Sequence, residues 1–443
     1  MYAIITNIGL YLFPPPRRTS LAIDIIGRSS EEPIFSRTRS SIDSSTRFFR
    51  DSRSIDSIFS ASMVYQPRGR IYQRVSESVR LSMRSAPSLE VDAMEKRLIV
   101  GALDSSLWKI SDIVSGHLDT IDHEGLEQSV TPLEEVLSAL ESLSEGEIDL
   151  LAVPASEIIG SEAELTDAGC HIVGARTPRR SSLILVSPNR LMYQPKSAII
   201  VSDSELIRRQ LLRARPDIQV LSMDQVSAHP EDQSLDSAER ATWLAGMLDR
   251  KEIDGYITSR SEYEYTGQTE RRHTLMSQPR VRGAPHFIPP PYSDLIAIVC
   301  RTGFPNALSS KLTEPEGNTV LWVQSRIMGA MDESLRDCVG LEVRHRQVGA
   351  ILRQAEENRD LVLEQACHDP DGEIYHDEVR VEVRLETLSS DGRKTLSLER
   401  LVAMSEYQRA IVALLMDWEK MVRESSREVP KDHPTDVDAP SFL

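Results

Sequence analysis

Residues 204–223 read SELIRRQLLRARPDIQVLSM, and this stretch carries the pattern that decides the fold. The apolar residues after Ser204 recur at helical spacing until Pro216 ends the run. The segment IQVLSM (218–223) then predicts a short apolar strand. A helix that leads directly into a strand is the building unit of open α/β sheets, so we expect the same unit on either side.

The chain from residue 96 onward alternates predicted strands and helices. The predicted strands are KRLIVGAL (96–103), EIDLLAV (147–153), GCHIVGA (169–175), SSLILVS (181–187), SAIIVS (197–202), EIDGYITS (252–259), LIAIVCR (295–301), DLVLEQACH (360–368) and EVRVEVRLET (378–387). The predicted helices are SLWKISDIVSGHL (106–118), TPLEEVLSALESL (131–143), SAERATWLAGMLDR (237–250), a segment near 326–337 and EYQRAIVALLMDWEKMV (406–422). This alternation predicts α/β sheets with right-handed crossovers.

Length and composition indicate a globular protein of several domains. The 443 residues are 40% hydrophobic and 27% charged, which is enough for two or three cores. The net charge is −17, although residues 1–95 contain 13 Arg and only 10 acidic residues, so the body from residue 96 is strongly acidic. That charge argues against nucleic acid or an anionic membrane as partner. Four cysteines without CxxC spacing and an opening segment unlike a secretory signal predict a cytoplasmic protein.

The two ends of the chain differ from the body. Residues 1–95 are rich in Ser and Arg, lack sustained apolar periodicity and predict a disordered extension. Met94 is an alternative start, because it leads directly into the first predicted strand. The tail 426–443 is rich in Pro and acidic residues and predicts a flexible segment.

Several stretches share an order and spacing with one enzyme family. These stretches are GEIDLLAV (146–153), GARTPRRSSLILVS (174–187), SELIRRQLLRARPDIQVLSM (204–223), IPPPYSDLIAIVCR (288–301) and PDGEIYHDEV (370–379). Together with the last helix they resemble porphobilinogen deaminase, also called hydroxymethylbilane synthase. That family polymerises porphobilinogen to hydroxymethylbilane in tetrapyrrole and haem biosynthesis, and the resemblance covers Arg97 to about Lys420.

The resemblance implies an α/β fold with two periplasmic-binding-protein-like domains and a small third α/β domain, behind the disordered N-terminal extension. The expected boundaries are 96–195 plus 286–303 for domain 1, 196–285 for domain 2 and 304–425 for domain 3. Domain 1 is therefore expected to be discontinuous in sequence.

The resemblance also implies roles for individual residues. Glu157 stands at the position of the catalytic aspartate and would shuttle protons. The expected contacts to substrate or cofactor come from Ser105, Arg176, Arg180, Arg208 and Arg209. Arginine suits the acetate and propionate groups of porphobilinogen because its guanidinium binds a carboxylate through two hydrogen bonds.

The cysteine that carries the dipyrromethane primer of the family has two possible counterparts. An alignment without gaps places it at Arg344, whereas an alignment with one gap places it at Cys338. A buried cysteine behaves as a small hydrophobic residue, so a core position for Cys338 is the competing interpretation.

Other positions depart from the family. Leu103 and Asp104 replace an arginine and a glycine. Asp224 and Gln225 stand where the family turns through an Arg-Gly-Asn segment, and an aspartate in place of an arginine would repel a carboxylate. The segment PPPYSD (289–294) replaces a glycine-containing turn, and we expect Tyr292 and Asp294 to forbid the positive φ that glycine allows.

Two functions therefore remain open. One is a divergent deaminase, a transferase that uses dipyrromethane as cofactor and Arg208 and Arg209 to bind an anionic pyrrole. The other is a non-catalytic relative that binds another small acidic molecule or a partner protein, and whether the chain is an enzyme stays open. We expect a monomer, no metal site, and weaker ligand binding without loss of stability in Arg209→Ala. An extracellular solute-binding protein is disfavoured for want of a signal.

Two further groups of residues predict no site. His171, His273 and His286 lack the spacing of metal ligands. The polar and aromatic run YITSRSEYEYTG (256–267) could line a pocket, but a solvated loop is the favoured interpretation.

Overall fold

A computed structural model gives the architecture of the protein. It describes residues 2–6, 9–13, 97–105, 108–121, 127–177, 183–227, 235, 237–278, 284–368 and 371–425. Most of the predicted extension and all of the predicted tail lie outside these residues.

The described residues form strands and helices that alternate along most of the chain. The strands are β1 Tyr2–Thr6, β2 Gly9–Phe13, β3 Arg97–Leu103, β4 Glu127–Leu133, β5 Leu150–Pro154, β6 Cys170–Arg176, β7 Leu183–Val186, β8 Ile199–Val201, β9 Gln219–Leu221, β10 Gly255–Ser259, β11 Arg272–Leu275, β12 Ile296–Arg301, β13 Val339–Gln347, β14 Val379–Leu388 and β15 Thr395–Ala403. The helices are α1 Ile110–Leu118, α2 Val136–Glu145, α3 Ala155–Ile158, α4 Glu162–Asp167, α5 Glu205–Ala214, α6 Met223–Val226, α7 Ser237–Asp249, α8 Arg260–Tyr265, α9 Asn306–Ser309, α10 Pro315–Gly329, α11 Glu333–Arg336, α12 Val348–Asn358, α13 Leu361–Gln365 and α14 Tyr407–Ser425, with a 3-10 turn at Leu191–Tyr193.

The first sheet has the strand order β4-β3-β5-β12-β6. Strands β4, β3 and β5 are parallel, and β12 is antiparallel to both of its neighbours, with Ile298 opposite Ala152 and Gly174. The chain leaves this sheet after β6 and returns to it with β12. Strands β3, β5 and β12 consist mostly of buried apolar residues, which explains why their sequences are almost continuous hydrophobic runs.

The second sheet has the strand order β11-β7-β10-β8-β9. Strands β10, β8 and β9 are parallel, whereas β7 is antiparallel to β10 and β11. Strand β7 lies within the segment 96–195 that was expected in domain 1, yet it pairs in the second sheet. The domain boundaries themselves stay a prediction.

The third sheet has the order β13-β14-β15-β1-β2. Strands β13, β14 and β15 form an antiparallel meander, and β1 pairs in parallel with β15. The N-terminal strands β1 and β2 lie in the segment predicted to be disordered, and the rest of that prediction falls outside the described residues.

One hydrophobic core joins the first sheet to the third. Helix α10 contributes Val320, Val323 and Ile327, which pack with Ala297 of the first sheet and Val383 of the third. The opposite face of the first sheet packs on α1, and two separate clusters cover the faces of the second sheet. The first and third sheets are therefore held together by apolar packing.

The structure confirms the α/β alternation but corrects three predicted elements. Thr131–Leu133 belong to strand β4, because they pair with β3, and the helix expected at 131–143 begins only at Val136. The helix expected near 326–337 spans Pro315–Gly329. The strand predicted at 360–368 is instead the short helix α13, because the Asp360 side chain accepts a hydrogen bond from the backbone of Leu363 at 3.1 Å and starts a helix.

No helix in the described part of the chain is both long and apolar enough to cross a membrane.

Helix α10 approaches strand β6 at a glycine, which gives a stability prediction. A Cβ atom on Gly317 would lie 2.4 Å from the carbonyl oxygen of Ala175, so Gly317→Ala must push the helix away from the strand. We expect a loss of about 1–3 kcal/mol in unfolding free energy, measured by urea denaturation. Gly116 is the matched control, since no atom lies within 4 Å of its Cβ position in α1. Gly116→Ala should stabilise by about 0.5–1 kcal/mol, and equal effects of the two changes would contradict the close approach.

Candidate functional site

A cavity of about 580 Å³ lies between helices α1 and α8. Each helix follows the carboxyl end of a strand, α1 after β3 in the first sheet and α8 after β10 in the second. In open α/β folds, ligands bind outside the carboxyl ends of the strands. The residues that line the cavity are Trp108, Lys109, Asp112 and Ile113 on one wall and Ser261, Glu264 and Tyr265 on the other.

The first wall is positioned by Asp104. Its carboxylate accepts hydrogen bonds from the backbone and hydroxyl of Ser111, at 2.8 and 2.7 Å, and so caps the first turn of α1. Asp104, which stands where the deaminase family has a glycine, is therefore a structural residue. Lys109 and Asp112 are exposed, and neither forms an ion pair within the described part of the chain. Their charges are available at the cavity.

The second wall is the short helix α8, which replaces the solvated loop predicted at 256–267. The Ser259 side chain accepts a hydrogen bond from the backbone of Glu262 at 2.9 Å and starts this helix. Glu264 pairs with Arg260 at 2.8 Å, while Tyr265 is 37% exposed. The sequence signal for this wall was a capping serine directly after a predicted strand. Lys109 and Asp112 had no comparable signal.

A second cavity, of about 200 Å³, lies at the carboxyl ends of β8 and β10. Arg240 pairs there with Glu262, whose other oxygen accepts a hydrogen bond from Thr258 at 2.7 Å. The phenol of Tyr256 donates to Gln268 at 2.8 Å, and burial raises the pKa of Tyr256. These polar groups bond to one another, so fewer of them are available to a ligand here than in the larger cavity.

The segment that returns to the first sheet corrects another expectation. Tyr292 and Asp294 adopt φ values of 62° and 54°, although the sequence was expected to forbid positive φ there. The backbone of Tyr292 donates to Gln324 at 2.7 Å, and Asp294 accepts a hydrogen bond from Ser261. Tertiary hydrogen bonds therefore hold a conformation that glycine would adopt without strain. The bond to Ser261 also connects this segment to the second wall of the large cavity.

The structure brings Ser105 and Glu157 together, as two of the predicted site residues. Ser105 follows β3 and Glu157 lies in α3 directly after β5, so both stand at carboxyl ends of neighbouring strands. Burial raises the pKa of Glu157, and a hydrogen bond from Ser105 offsets part of that effect. Neither residue lines the large cavity, and the role of Glu157 as proton shuttle stays a prediction.

Arg208 and Arg209 form ion pairs and hydrogen bonds within the protein. Both pair with Glu205 one turn earlier in α5, through contacts of 2.6 and 2.7 Å. Arg208 also donates to the carbonyl oxygen of Ser390 at 3.0 Å, and Arg209 donates to that of Leu388 at 2.6 Å. The two guanidinium groups therefore attach α5 to the turn between β14 and β15.

Of the two remaining predicted arginines, the structure describes Arg176. Arg176 lies 4.0 Å from Glu314, so its charge is partly neutralised within the protein. Arg180 lies outside the described residues.

The two candidate positions for primer attachment are both buried. Cys338 is 7% exposed, and burial raises the pKa of its thiol, which opposes formation of the nucleophilic thiolate. Arg344 is 7% exposed and pairs with Glu382. These residues do not fit a dipyrromethane group, which needs a reactive thiol open to a cleft.

Among the described residues, no group of three or more His, Cys, Asp or Glu side chains could hold a metal ion. The imidazole of His286 instead contacts Glu386 at 2.7 Å, and the imidazole of His171 lies 3.8 Å from the thiol of Cys300.

Comparison with known proteins gives similarity in fold alone. No family model and no curated protein matches the chain. Matching solved structures include a periplasmic substrate-binding protein of an ABC transporter from Coxiella burnetii, at 15% identity and a TM-score of 0.29, over 51% of this chain and 94% of that one. A lipoprotein of the YaeC family from Enterococcus faecalis matches at 12% identity and 0.28, over 54% and 93%. The periplasmic VFT2 domain of BvgS from Bordetella pertussis matches at 16% and 0.26, over 53% and 94%.

The predicted α/β fold class is confirmed by the sheets and the helices that cover them. The predicted membership of the porphobilinogen deaminase family is wrong. The matching structures named above are a substrate-binding protein, a lipoprotein and a VFT2 domain rather than a deaminase. Arg209 is hydrogen-bonded within the protein, and Cys338 is buried. Both functions derived from that family, in tetrapyrrole synthesis or as its non-catalytic relative, are withdrawn with it.

The predicted cytoplasmic localisation is wrong on the same comparison, because these neighbours are periplasmic proteins and lipoproteins. The coarser partner prediction, a small molecule, agrees with substrate-binding folds. The anionic pyrrole is not retained, and the monomeric state stays a prediction.

The contacts of Arg209 reverse the effect expected from the sequence. Arg209→Ala removes a charged hydrogen bond to the Leu388 carbonyl and one partner of Glu205, so we expect a loss of about 1–3 kcal/mol in unfolding free energy. Urea denaturation measures this loss. Arg250→Ala is the control, because the Arg250–Glu252 pair is solvent-exposed and should give no measurable change. If Arg209→Ala leaves the unfolding free energy unchanged, Arg209 would again be a candidate for ligand binding.

A second contact between α5 and the third sheet predicts a pH dependence. Burial alone would raise the pKa of Glu386, but Arg213 at 2.6 Å and His286 at 2.7 Å outweigh it and lower the pKa to about 2. Because the folded pKa lies below the unfolded value of 4.5, the stabilisation is present above pH 4.5. It is lost as the pH falls toward 2, by roughly 3 kcal/mol in total.

Urea denaturation between pH 2 and pH 5 tests this dependence. Glu386→Gln should reduce the fall in unfolding free energy across that range, whereas the exposed control Glu147→Gln should keep it. The same fall in both variants would exclude Glu386 as its origin.

Proposed function

We propose that the protein binds a small polar molecule in the cleft between its first and second sheets. The observation that carries this proposal is the cavity of about 580 Å³, whose walls come from both sheets. Its volume lies within the range of about 300–1,000 Å³ that is usual for ligand sites. The other cavities described for this chain, of about 150 and 200 Å³, are smaller.

The walls favour a ligand that has both hydrogen-bond donors and acceptors. Lys109 stands at the N-terminus of α1, where the helix dipole adds to its positive charge. Asp112 lies in the first turn of α1, and Glu264 lines the cavity from the other wall. Tyr265 offers a partly exposed ring on which a flat or apolar part of the ligand could pack.

The position of the cavity supports binding that depends on closure of the two walls. A ligand that touches α1 and α8 together stabilises the arrangement in which they approach. The chain crosses from the first sheet to the second after β6 and back after β11, so the two walls belong to different sheets.

Native mass spectrometry of the full chain, followed by a thermal-shift screen of amino acids, organic acids and sugars, tests this function. At a concentration 100 times Kd, a ligand raises the unfolding free energy by about 2.7 kcal/mol, which a thermal shift detects. We expect Tyr265→Ala to weaken binding of the best ligand at least tenfold. Tyr193→Ala is the matched control, because Tyr193 is 74% exposed in the turn Leu191–Tyr193 and does not line the cavity.

Lysine variants test the charge at the cavity in the same screen. Lys109→Ala should weaken a ligand that carries an acceptor group, whereas the exposed control Lys196→Ala should not. If neither Tyr265→Ala nor Lys109→Ala alters the affinity of any ligand found, the cleft is not the binding site.

A further inference from the structure

A smaller cavity, of about 150 Å³, lies at the junction of the first and third sheets. Thr177, directly after β6, and the proline-rich segment before β12 form one side of it. Helix α10 contributes Glu316 and Gln324, and strand β13 contributes Glu342 and Arg344. The cavity therefore touches both connections between the first and second sheets, but it is separate from the proposed cleft.

Arg344 in the wall of this cavity has an unused donor. The residue is 7% exposed, and its Nε donates to Glu382. Its Nη2 is buried and has no hydrogen-bond partner among the residues that the structure describes. A buried guanidinium nitrogen without a partner is costly, so the site favours an incoming acceptor such as a carboxylate.

Gln324 provides a second donor at the same place. It is 4% exposed, and its Oε1 accepts the backbone N–H of Tyr292 at 2.7 Å. This bond fixes the orientation of the amide and leaves the Nε2 group without a partner in the described part of the chain. Two donors from two different elements thus meet at one cavity.

The same wall also carries negative charge. Glu316 uses Oε1 to accept the backbone N–H of His345 at 2.8 Å, and its Oε2 has no partner in the described residues. Glu342 is engaged by Ser277 at 2.6 Å and by Arg384 at 3.4 Å. A simple anion would be repelled by these two carboxylates, whereas a molecule with a cationic and an anionic end would satisfy both signs.

We propose that this cavity binds a small zwitterion, an α-amino acid with a short side chain. Its carboxylate accepts hydrogen bonds from Arg344 and Gln324, and its ammonium group donates to Glu316. A cavity of about 150 Å³ is known to hold a benzene-sized molecule, and alanine has the same number of non-hydrogen atoms as benzene. The apolar lining of Val320, Leu341 and Val343 suits a short aliphatic side chain.

This site differs in position and in ligand size from the cleft between α1 and α8. Because Gln324 holds the backbone of Tyr292, a bound amino acid would also stiffen the segment that returns to the first sheet. The small site is therefore placed to influence the movement of the two walls of the cleft.

Isothermal titration of the full chain with alanine, propionate and ethylamine tests this proposal. We expect alanine to bind, and propionate and ethylamine, which each lack one charged group, to bind at least 100-fold more weakly. Glu316→Gln keeps an acceptor for His345 but loses the charge, so it should weaken alanine binding at least tenfold without unfolding the protein. Glu333→Gln, an exposed position on α11, is the matched control and should keep the wild-type affinity.

Two further variants separate this site from the cleft. Gln324→Glu keeps the acceptor for Tyr292 but replaces the donor with a carboxylate, and it should abolish alanine binding. Tyr265→Ala, in the cleft, should leave alanine binding unchanged. The proposal is overturned if alanine does not bind, if propionate binds as tightly as alanine, or if alanine binding is lost in Tyr265→Ala and kept in Glu316→Gln.

Discussion

Three parts of the chain meet at the buried carboxylate of Glu386. A carboxylate with no exposed surface is costly unless cations and donors surround it. Arg213 comes from α5, His286 from the segment that returns to the first sheet, and Gln210 adds a donor from α5 at 3.3 Å. The burial of one charge therefore fixes the position of α5, the returning segment and the third sheet at a single point.

The sequence of β14 shows what a pattern could and could not predict. Its alternating residues predicted a strand correctly, and such alternation normally indicates one apolar face and one solvated face. Both faces are in fact buried, since Glu382 and Glu386 are 1% and 0% exposed. Their partners Arg344 and Arg213 lie 38 and 173 residues away in sequence, so no local pattern could identify them. Most strands and helices of the two α/β sheets were predictable because their signals are local, but strands β4 and β11 were not predicted.

The candidate site was predictable in position but not in composition. The rule that ligands meet the carboxyl ends of strands places a cleft after β3 and β10, and those strands were predicted from their apolar runs. The arginine pair of α5 misled the interpretation, because a helix-start arginine has the same sequence signature whether it meets a ligand or a backbone carbonyl. Here Arg209 meets the carbonyl of Leu388. Lys109 and Tyr265, which do line the cavity, are ordinary surface residues in the sequence.

The third sheet has a kinetic consequence for a protein of this architecture. It shares an apolar core with the first sheet, and it holds α5 of the second through Arg209 and Arg213. Two domains that are joined only by connecting segments can open gradually, without breaking a buried contact. In this protein a wide opening would have to break the Arg213–Glu386 pair while both charges are still shielded from water, which adds an activation barrier. Escape of a trapped molecule would then be slow and strongly temperature-dependent, so residence time and affinity would be set by different parts of the chain.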